Sequence, residues 1–523
     1  MKSFLLEDAK SREEVALDFL SSIIRSGPFK NKVFLAGGAV RDSVMGKPIK
    51  DIDVVVTMPD GGIEFAKWIT QQLNIYREGS NPVVFPRFGT AKFNLRGTKH
   101  LGVDLSSVNI ESVMTRGEKY TFGSRKPEVS YADLKEDAKR RDFTVNDLYK
   151  DLTTNQILDP TGIGFEDIKN GVVRTPVDPN ITFKDDPLRM LRAVRFATKY
   201  NWKIAKSVLD ALSSDSSMLQ HISMERIQEE FNKMLMTDNP DVALKILSYT
   251  GLLREFLPEF DTLKGVEQNK YHKDDAFNHA VGVVKHTPKD LKARLAAVFH
   301  DIAKPLTKSV DPNGDIHFYD HEDVGAQIAQ DVMQRMKYPN DMIQSVSNIV
   351  KNHMRLKGSG SRGELATDKT LRRFAATMGS DLSSALAMMH GDNLSHSKEH
   401  TMPDQIPALQ SRIQQLAQLA PQKPKLPING NDLMQTFELK PGPHLKKMLQ
   451  SVEDAWFENP NLTRDQALAI AKSAYDDTAP DDILNRKIKN PETGNEILVK
   501  TALQYDDNHP ARRAAEKLLK RKK

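Results

Sequence analysis

Two aspartates stand two residues apart in an apolar run, and this spacing could hold metal ions. Asp51 and Asp53 lie in the segment DIDVVV, which has the β-branched composition of a strand. Because side chains alternate along a strand, both carboxylates would point to the same face. Carboxylate oxygens suit Mg²⁺, and two such ions could activate an attacking hydroxyl and stabilise a leaving pyrophosphate. The pair therefore predicts metal-assisted chemistry at phosphorus.

Glycines precede this pair at a distance that could serve the same chemistry. An apolar strand over residues 33–36 runs into Gly37 and Gly38, and a helix-like segment then leads to Asp51. Glycine lets a backbone approach phosphate closely, and a helix N-terminus favours anions. Arg41, on the predicted helix, could clamp a triphosphate. Each fragment alone is more often a turn or a solvated strand end, whereas the two in this order are more specific.

A second set of candidate residues pairs histidine with carboxylates further along the chain. Neutral imidazoles together with carboxylates suit Mn, Ni, Fe or Mg, and such a metal would generate a hydroxide that attacks a phosphate. A lone histidine is usually a surface residue or a satisfied core residue, but a whole set is hard to explain that way. The set consists of His279, His300, Asp301, His321, His353 and Asp392.

Length and composition limit the function classes. A chain of 523 residues is expected to form three or four domains, and 28% charged with 39% hydrophobic residues is typical of a soluble globular protein. We expect no membrane-spanning segment and no signal peptide, and the lack of cysteine excludes disulfides and thiolate zinc sites. These features favour a cytoplasmic protein. The net charge of +5 permits a nucleic-acid partner without demanding one.

Five regions must position these residues. Residues 1–150 mix β-branched runs with turn signals and predict a small mixed-sheet head. Apolar residues recur at helical spacing in residues 151–260 and again in the histidine-rich residues 261–420. A Pro/Lys linker opens residues 421–480, which are otherwise helical. Residues 481–523 form a basic C-terminal extension that is as compatible with a solvated tail as with RNA binding.

Longer strings around these residues carry a family resemblance. GGAVRD followed by DID resembles the motif of the class II tRNA nucleotidyltransferases (CCA-adding enzymes) and of the related bacterial poly(A) polymerases. KRRDFTVND at 139–147, DDPLRMLRAVRF at 185–196 and MERI with the following acids at 224–230 resemble three further motifs. The resemblance covers about residues 30–475. It implies an α+β protein with a polymerase beta-like head, followed by a largely α-helical neck, an HD domain and a C-terminal helical unit.

The resemblance also implies roles for individual residues. Asp51 and Asp53 would bind the two Mg²⁺ ions, and Arg141 and Asp142 would meet the incoming ribose, with Asn146 near the triphosphate. Asp186 and Arg189 would read the base edge of CTP or ATP. Their spacing puts them on one helix face, because residues three apart in a helix are neighbours. The remaining predicted nucleotide-binding residues are Gly37, Gly38, Arg41, Asp42, Arg192 and Arg195.

The chain departs from the family pattern in several places. Asp185 stands where the family has glutamate, and Asp147 stands where a small residue is usual. The family has a third carboxylate on a strand near the first two, for which Asp104 is our candidate. An arginine that commonly follows that strand is interpreted as replaced by Asn109.

The histidine and aspartate set resembles the ligands of HD-domain phosphohydrolases. Some CCA-adding enzymes carry this domain, and the resemblance implies phosphatase or phosphodiesterase activity, with His321 and His353 completing a second metal site. The alternative is a domain that keeps its ligands but serves mainly as a tRNA-binding scaffold. Residues 428–456 resemble the small C-terminal unit of HD-containing tRNA nucleotidyltransferases, which favours tRNA as the substrate.

Together these features predict addition of CMP and AMP, from CTP and ATP, to the 3′ end of tRNA. Two alternatives stay open: an enzyme that adds only A or a poly(A) tail, and an HD phosphohydrolase whose head only binds RNA. The expected partners are tRNA, CTP and ATP. No membrane and no obligate protein partner is expected.

Overall fold

A computed structural model of the chain describes most of its residues and divides it into two compact units. The first unit is Met1–Val350 with Leu394–His400, and the second is Lys351–Asn393 with Thr401–Lys523. The Gly/Ser loop at 358–361, the start of the Pro/Lys linker at 421–425 and the last basic residues at 521–523 lie outside the described residues. The structure describes residues 10–74, 81–96, 98, 104–119, 128–269, 274–356, 366–419, 426–484, 487–493, 495–505 and 509–520.

The strands of the described residues belong to one large sheet and several two-stranded ones. They are β1 (Val33–Ala36), β2 (Ile52–Val56), β3 (Val83–Phe85), β4 (Thr90–Asn94), β5 (Asn109–Met114), β6 (Arg116–Lys119), β7 (Glu128–Tyr131), β8 (Tyr149–Asp151), β9 (Ile157–Leu158), β10 (Val172–Val173), β11 (Lys203–Ile204), β12 (Lys308–Val310), β13 (Ile316–Phe318), β14 (Lys487–Lys489) and β15 (Glu496–Leu498).

Helices make up most of the remainder. They are α1 (Arg12–Ile24), α2 (Gly38–Val44), α3 (Gly61–Asn74), α4 (Leu134–Lys139), α5 (Gly164–Asn170), α6 (Pro179–Asp185), α7 (Leu188–Tyr200), α8 (Lys206–Ser214), α9 (Met224–Leu235), α10 (Pro240–Tyr249), α11 (Leu252–Phe256), α12 (Pro258–Asp261), α13 (Ala276–His286), α14 (Leu291–Phe299), α15 (Lys304–Thr307), α16 (His321–Arg335), α17 (Asn340–Asn352), α18 (Asp368–Met378), α19 (Leu382–Leu394), α20 (Gln405–Leu419), α21 (Gly430–Phe437), α22 (Pro443–Glu458), α23 (Arg464–Leu484), α24 (Val499–Ala502) and α25 (Pro510–Lys520).

The large sheet is mixed and has the strand order β3-β4-β5-β2-β1-β8-β9. Strands β1 and β2 pair antiparallel, whereas β2 and β5 pair parallel. Helix α3 packs on the sheet through buried residues such as Phe65 and Ile69. Gly62 permits this contact, because a Cβ there would lie 2.5 Å from the carbonyl oxygen of Gly89. The sheet continues past residue 150 to Leu158, and the mixed-sheet head predicted from the sequence is confirmed.

The helical prediction for the rest of the chain is also confirmed. Helices α7 and α9 pack together in the first unit, as do α13 and α14. In the second unit, α18, α20, α22 and α23 pack as neighbours. No helix in the described part of the chain is long and apolar enough to cross a membrane.

Candidate active sites

The first site begins at the start of the central strand β2. Asp51 directly precedes the strand and Asp53 lies in it, and both are exposed while Ile52 and Val54 are buried. This alternation is the one that the spacing predicts, because successive strand residues face opposite sides. The buried partners fix the strand, so the two carboxylates share the open face.

The neighbouring strand β5 brings a third carboxylate to this face. In the parallel pairing of β2 with β5, Glu111 is the register partner of Asp53. Ile110, Ser112 and Met114 on either side of Glu111 are buried, so its side chain alternates away from the core. The ammonium of Lys92 on β4 lies 2.9 Å from the Glu111 carboxylate.

The structure does not place Asp104 on a strand beside Asp51 and Asp53, so that expectation is corrected, and Glu111 becomes the alternative candidate for the third carboxylate. Asp104 lies before β5, is exposed, and accepts hydrogen bonds from the backbone N–H of Ser106 at 3.1 Å and its hydroxyl at 2.6 Å. This side chain shapes a turn, as aspartate commonly does. Asn109 begins β5 and Arg116 follows its end, so Arg116 is an arginine that stands shortly after this strand, and the interpretation of Asn109 stays a prediction. The alternating segment NIESVM was the sequence signal for Glu111.

Three negatively charged side chains, Asp51, Asp53 and Glu111, lie near one another at the start of β2. The surrounding protein desolvates Asp53, and this raises its pKa above the ordinary value, helped by Glu111 and Asp51 and opposed by Arg141 and Lys92. A divalent cation would relieve this repulsion. Three carboxylates with only oxygen donors form a ligand set that suits Mg²⁺, so the residues fit the ion.

Gly37, Gly38 and Arg41 form the turn beside these carboxylates. Gly37 has φ +67°, a left-handed conformation that favours glycine, and a Cβ there would lie 3.4 Å from an Arg141 nitrogen. Arg41 is buried, and its guanidinium donates hydrogen bonds to Asp42 and, at 2.5 Å, to Oδ1 of Asn146. Its contacts make Arg41 a bridge between α2 and residue 146. They do not show it as an exposed clamp for phosphate.

Aromatic rings of α7 support Arg41. The guanidinium carbon lies 5.1 Å from the ring centroid of Phe196 and 4.9 Å from that of Tyr200. The Tyr200 hydroxyl also lies 3.3 Å from Asp42. A guanidinium over aromatic faces gains cation–π attraction, so α7 holds the glycine turn in a fixed orientation.

The RRDF segment contributes a buried ionic network. Asp137 accepts hydrogen bonds from both Arg140 and Arg141 and from the Tyr149 hydroxyl. Burial alone would raise the pKa of Asp137, but the two guanidinium groups and the backbone N–H of Arg116 lower it to about 2. Asp137 therefore stays ionised and orients Arg141 toward the glycine turn.

Asp142 and Asn146 form a second network against α7. Asp142 accepts hydrogen bonds from the Nε atom of Arg192 at 2.9 Å and from the Nδ2 atom of Asn146 at 2.9 Å. Burial would raise the pKa of Asp142, but Arg192 and Asn146 lower it to about 2. The structure thus brings four predicted nucleotide-binding residues into one chain of contacts: Arg41, Asn146, Asp142 and Arg192.

Asp147 behaves differently from its neighbours. It is fully buried, and neither of its carboxylate oxygens has a hydrogen-bond partner among the described residues. Desolvation raises its pKa well above the ordinary value, although Arg141 opposes this. A small residue would avoid this cost. The departure from the family pattern at Asp147 therefore buries a carboxyl in an unfavourable environment next to Arg141.

The predicted base-reading pair does not share a helix face. Helix α7 begins at Leu188, and Asp186 lies outside it, where its Oδ1 atom accepts a hydrogen bond from the backbone N–H of Leu188 at 3.2 Å. Arg189 donates to the carbonyl oxygen of Arg140 at 2.6 Å. The i, i+3 prediction was wrong, because Pro187 follows Asp186 and the residue before proline is biased away from helical conformation.

Residues of helix α9 contact both Asp186 and Arg195, near the two ends of the motif at 185–196. Arg226 lies 2.9 Å from the Oδ2 atom of Asp186, and the buried Glu230 accepts a hydrogen bond from Arg195 at 2.6 Å. Sequence reasoning recognised the MERI motif but missed the pairing of Arg226 with Asp186. The orientation of Asp186 thus depends on α9.

The second site is a buried cluster around Asp301. The Oδ2 atom of Asp301 lies 3.0 Å from Nε2 of His300, 3.7 Å from Nε2 of His279 and 2.7 Å from the ammonium of Lys304. His321 places its Nε2 atom 3.6 Å from Oδ1. All five side chains are nearly inaccessible to solvent. Helices α13, α14 and α16 therefore bring four predicted ligands together.

The backbone sets the tautomers of two of these histidines. Nδ1 of His300 lies 2.8 Å from the carbonyl oxygen of Ala297, and Nδ1 of His321 lies 2.7 Å from that of Phe318. A carbonyl only accepts, so each Nδ1 carries a hydrogen, and Nε2 is the ring atom that faces Asp301. An imidazole nitrogen and a carboxylate oxygen that face each other in this way can share either a proton or a metal ion. The ligand atoms of His279, His300 and Asp301 lie within 4.8 Å of one another, which fits a metal ion.

Lys304 is a feature that the sequence reasoning missed. Desolvation would raise the pKa of Asp301, but His300 and Lys304 hold it well below the ordinary value. The Lys304 ammonium also donates to the side-chain oxygen of Gln268 at 2.5 Å. His353 and Asp392 belong to the second compact unit and are buried there, and their part in the cluster stays a prediction.

Comparisons with known proteins agree with this arrangement. The poly(A) polymerase head domain family matches residues 33–174, the family of the RNA- and SrmB-binding site of polymerase A matches 201–264, and the family of tRNA nucleotidyltransferase domain 2 matches 319–470.

Two curated proteins and one solved structure illustrate the likeness. The CC-adding tRNA nucleotidyltransferase of Thermus thermophilus is 28% identical over 84% of this chain and 92% of its own length. The multifunctional CCA protein of Haemophilus influenzae is 32% identical over 59% of this chain and 71% of its own length. The crystal structure of the Bacillus stearothermophilus CCA-adding enzyme in complex with CTP has a similar fold, with a TM-score of 0.63 and 20% identity, and the match covers 90% of this chain and all of that one.

Proposed function

Because this chain belongs to the class II tRNA nucleotidyltransferase and poly(A) polymerase family, we propose that it adds CMP and AMP to the 3′ end of tRNA, using CTP and ATP. The observation that carries the proposal is the register of β2 with β5. In this register Glu111 pairs with Asp53, and Asp51 precedes Asp53 by two residues. The functional division at residues 150, 260, 420 and 480 is part of the same proposal.

In this proposal Asp51, Asp53 and Glu111 hold Mg²⁺. The bound ions would supply activation of the attacking hydroxyl and stabilisation of the leaving pyrophosphate. The 3′-hydroxyl of tRNA attacks the α-phosphate of the nucleotide, and pyrophosphate leaves. The protein contributes mainly positioning, through the glycine turn and the contact chain from Arg41 to Arg192. Arg141, which Asp137 orients beside Gly37, adds positive charge where the nucleotide is held.

Base selection would rest on Asp186 and Arg189. A carboxylate and a planar guanidinium offer the acceptors and donors that a base edge requires. The Arg226 contact fixes the orientation of Asp186, and the Arg140 carbonyl fixes Arg189. A protein-built template of this kind needs both side chains to be held before the nucleotide arrives.

A narrower reaction is favoured by one relative. The Thermus thermophilus protein named CC-adding matches nearly its whole length here, so addition of two C residues without the terminal A is a second candidate. Addition of A only, or of an A tail, completes the set of outcomes. Asp185 and Asp147, which depart from the family pattern near the nucleotide, keep these alternatives open.

The deciding experiment offers the purified protein Mg²⁺ and tRNA transcripts that end before CCA, after C or after CC. Each nucleoside triphosphate is supplied singly and then all together, and the products are sequenced. Ordered C, C and A addition that stops would establish the proposed reaction. C addition alone would establish the narrower one, and A on the CC transcript alone, or an unending A tail, would establish the third. No addition on any transcript would refute the proposal.

The cluster around Asp301 supports a second activity, hydrolysis of a phosphate ester by an HD-type metal site. His279, His300, Asp301 and His321 would hold a divalent ion such as Mn, Ni, Fe or Mg, which supplies a hydroxide nucleophile when bound. Lys304 would offer positive charge to the phosphate. The test is metal content by mass spectrometry after loading with each ion, followed by phosphate release from nucleotides. Absence of both metal and hydrolysis would leave the scaffold alternative.

A further inference from the structure

The positive charge of this protein is concentrated at its C-terminal end. Residues 487–523 contain ten lysines and arginines and five aspartates and glutamates. Their formal charge of +5 equals that of the whole chain, so the preceding residues balance to zero. The matched family regions end at residue 470. This segment therefore lies outside the matched parts and carries the entire charge excess.

The segment is folded, which the solvated-tail alternative did not expect. Strands β14 and β15 pair antiparallel, and helices α24 and α25 pack beside them. Val499, Ala502, Ala511 and Ala515 form a buried core, with Ile488 and Leu503 packed against it. Alanines at these positions let the two helices approach closely. We call the described residues from 487 to 520 the C-terminal basic module.

The basic side chains of the module lie away from this core. On β14, Lys487 and Lys489 are exposed while Ile488 between them faces the core, as strand alternation requires. Arg513 on α25 is also exposed, whereas Ala511 and Ala515 on the same helix are buried. The fold thus separates a small apolar core from an outer surface that carries Lys487, Lys489 and Arg513 together with Glu492 and Glu496, of which Glu496 lies 3.4 Å from Lys487.

A flat aromatic pair accompanies these cations. The rings of Tyr505 and His509 stack with centroids 4.2 Å apart and planes 16° apart, and Tyr505 keeps 36% of its surface exposed. Nδ1 of His509 accepts a hydrogen bond from the backbone N–H of Ala511, so the pair is fixed at the start of α25. Cations that follow a backbone and aromatic rings that stack on bases are the two devices of single-strand recognition.

We propose that the C-terminal basic module is an RNA-binding surface that contacts the phosphate backbone and stacks a base on the Tyr505–His509 pair. Charge complementarity favours a polyanion. Apart from the partly exposed Tyr505, the large apolar side chains described in the module are buried or half-buried, and alanines offer little area for insertion into a bilayer, which disfavours a membrane as the partner. The module adds affinity for RNA to whatever reaction the head performs, so it stands apart from the proposed function.

The test measures affinity of the full chain for a tRNA transcript by fluorescence anisotropy between 50 and 300 mM salt. In the variant Lys487→Gln/Lys489→Gln/Arg513→Gln, we expect the slope of log affinity against log salt to fall by about 2 to 3, because each lost phosphate contact lowers it by about 0.9. Tyr505→Ala should weaken binding roughly tenfold without changing the slope, since it removes a stacking contact and no charge.

A matched control removes the same charge elsewhere. Lys10→Gln/Lys30→Gln/Lys67→Gln neutralises three exposed lysines of the first unit and should leave the slope unchanged. Wild-type affinity and slope in the triple-glutamine module variant, together with wild-type affinity in Tyr505→Ala, would overturn the proposal. The module variant is also tested on vesicles of phosphatidylcholine and phosphatidylglycerol. If the unchanged chain binds these vesicles and the variant does not, while the variant still binds tRNA normally, the proposal is overturned in favour of a membrane. Because binding is read directly, a failure of nucleotide addition does not affect the outcome.

Discussion

The two candidate sites of this protein are built on opposite principles. The side chains of Asp51 and Asp53 are exposed at the start of the central strand β2, and their carboxylates offer only oxygen atoms as ligands. The cluster around Asp301 is buried among helices, combines imidazoles with a carboxylate, and contains its own cation in Lys304. In the proposed function the first site binds metal ions and a nucleotide, whereas the second site already contains a protein cation, Lys304, beside its carboxylate.

The comparison shows how each site limits the free-energy cost of desolvating its carboxylates. At the start of β2, the surrounding protein desolvates Asp53 and raises its pKa, and the neighbouring charges of Glu111 and Asp51 add to this shift. In the buried cluster, the opposite shift for Asp301 shows that local cations more than offset burial. An open site can exchange a large substrate such as RNA, while a closed one restricts what enters.

The largest expected effect is at the exposed site. Asp53→Ala should lower nucleotide addition by roughly 10³-fold or more, because the metal ions supply several kcal/mol of charge stabilisation. Binding of tRNA should remain near normal, since the sheet keeps its buried faces. The measurement is single-turnover addition beside anisotropy with the same transcript. Near-normal addition in this variant would mean that Asp53 is not a metal ligand, and the exposed site would then not be the site of nucleotide addition.

The next effect concerns the buried site. Asp301→Asn should abolish stoichiometric metal content and any phosphate release, because a buried amide cannot replace the charge that Lys304 and the histidines face. Addition to tRNA should persist in the same preparation. Metal retention in this variant would mean that Asp301 is not a ligand. Lys304→Met serves as a companion that removes the competing cation and should not lower metal content.

A smaller effect separates the two rival third carboxylates. Glu111→Gln should lower addition about 10²-fold, since it removes one ligand charge beside Asp53, whereas Asp104→Asn should change it less than about threefold. Both variants keep side-chain size, so they form a matched pair measured under the same Mg²⁺ titration. The reverse ranking would restore Asp104 and refute the reading of the β2–β5 register.

The smallest effect is on stability, beneath the exposed site. The pKa of Asp147 is higher in the fold than in the unfolded chain, so its contribution to stability is present below about pH 3.8 and is lost as pH rises toward the folded pKa. Asp147→Ala should therefore raise the free energy of unfolding at pH 7 by about 1–3 kcal/mol. The gain should become smaller below about pH 3.8 in urea titrations, because the carboxyl is then uncharged in both the folded and the unfolded chain.

Asp142 provides the opposite control five residues away. Its pKa is lowered to about 2, so its stabilisation is present above about pH 3.8 and is lost as pH falls through about 2. Asp142→Asn should destabilise the fold at pH 7 by about 2 kcal/mol. Equal shifts of the same sign in both variants would contradict the electrostatic account.

Much of the fold and part of each site were predictable from sequence. The spacing of Asp51 and Asp53 predicted two carboxylates on one face. The order of histidines and aspartates predicted four residues that lie together in the structure: His279, His300, Asp301 and His321. The errors came from boundaries and registers. Asp104 was expected on a strand, but the strand begins only at Asn109, after a turn shaped by Asp104. The base-reading pair was placed on a helix that starts only after Pro187.

The sequence by itself determined which local strings carry chemistry, because strand alternation, glycine turns and adjacent ligands depend on neighbours in the chain. Only the tertiary structure decided that Glu111 lies beside Asp53, that Arg226 holds Asp186 and that Lys304 enters the cluster of Asp301. Strand register and helix packing bring together residues far apart in sequence, and burial over the whole core selects them. No local pattern contains that information.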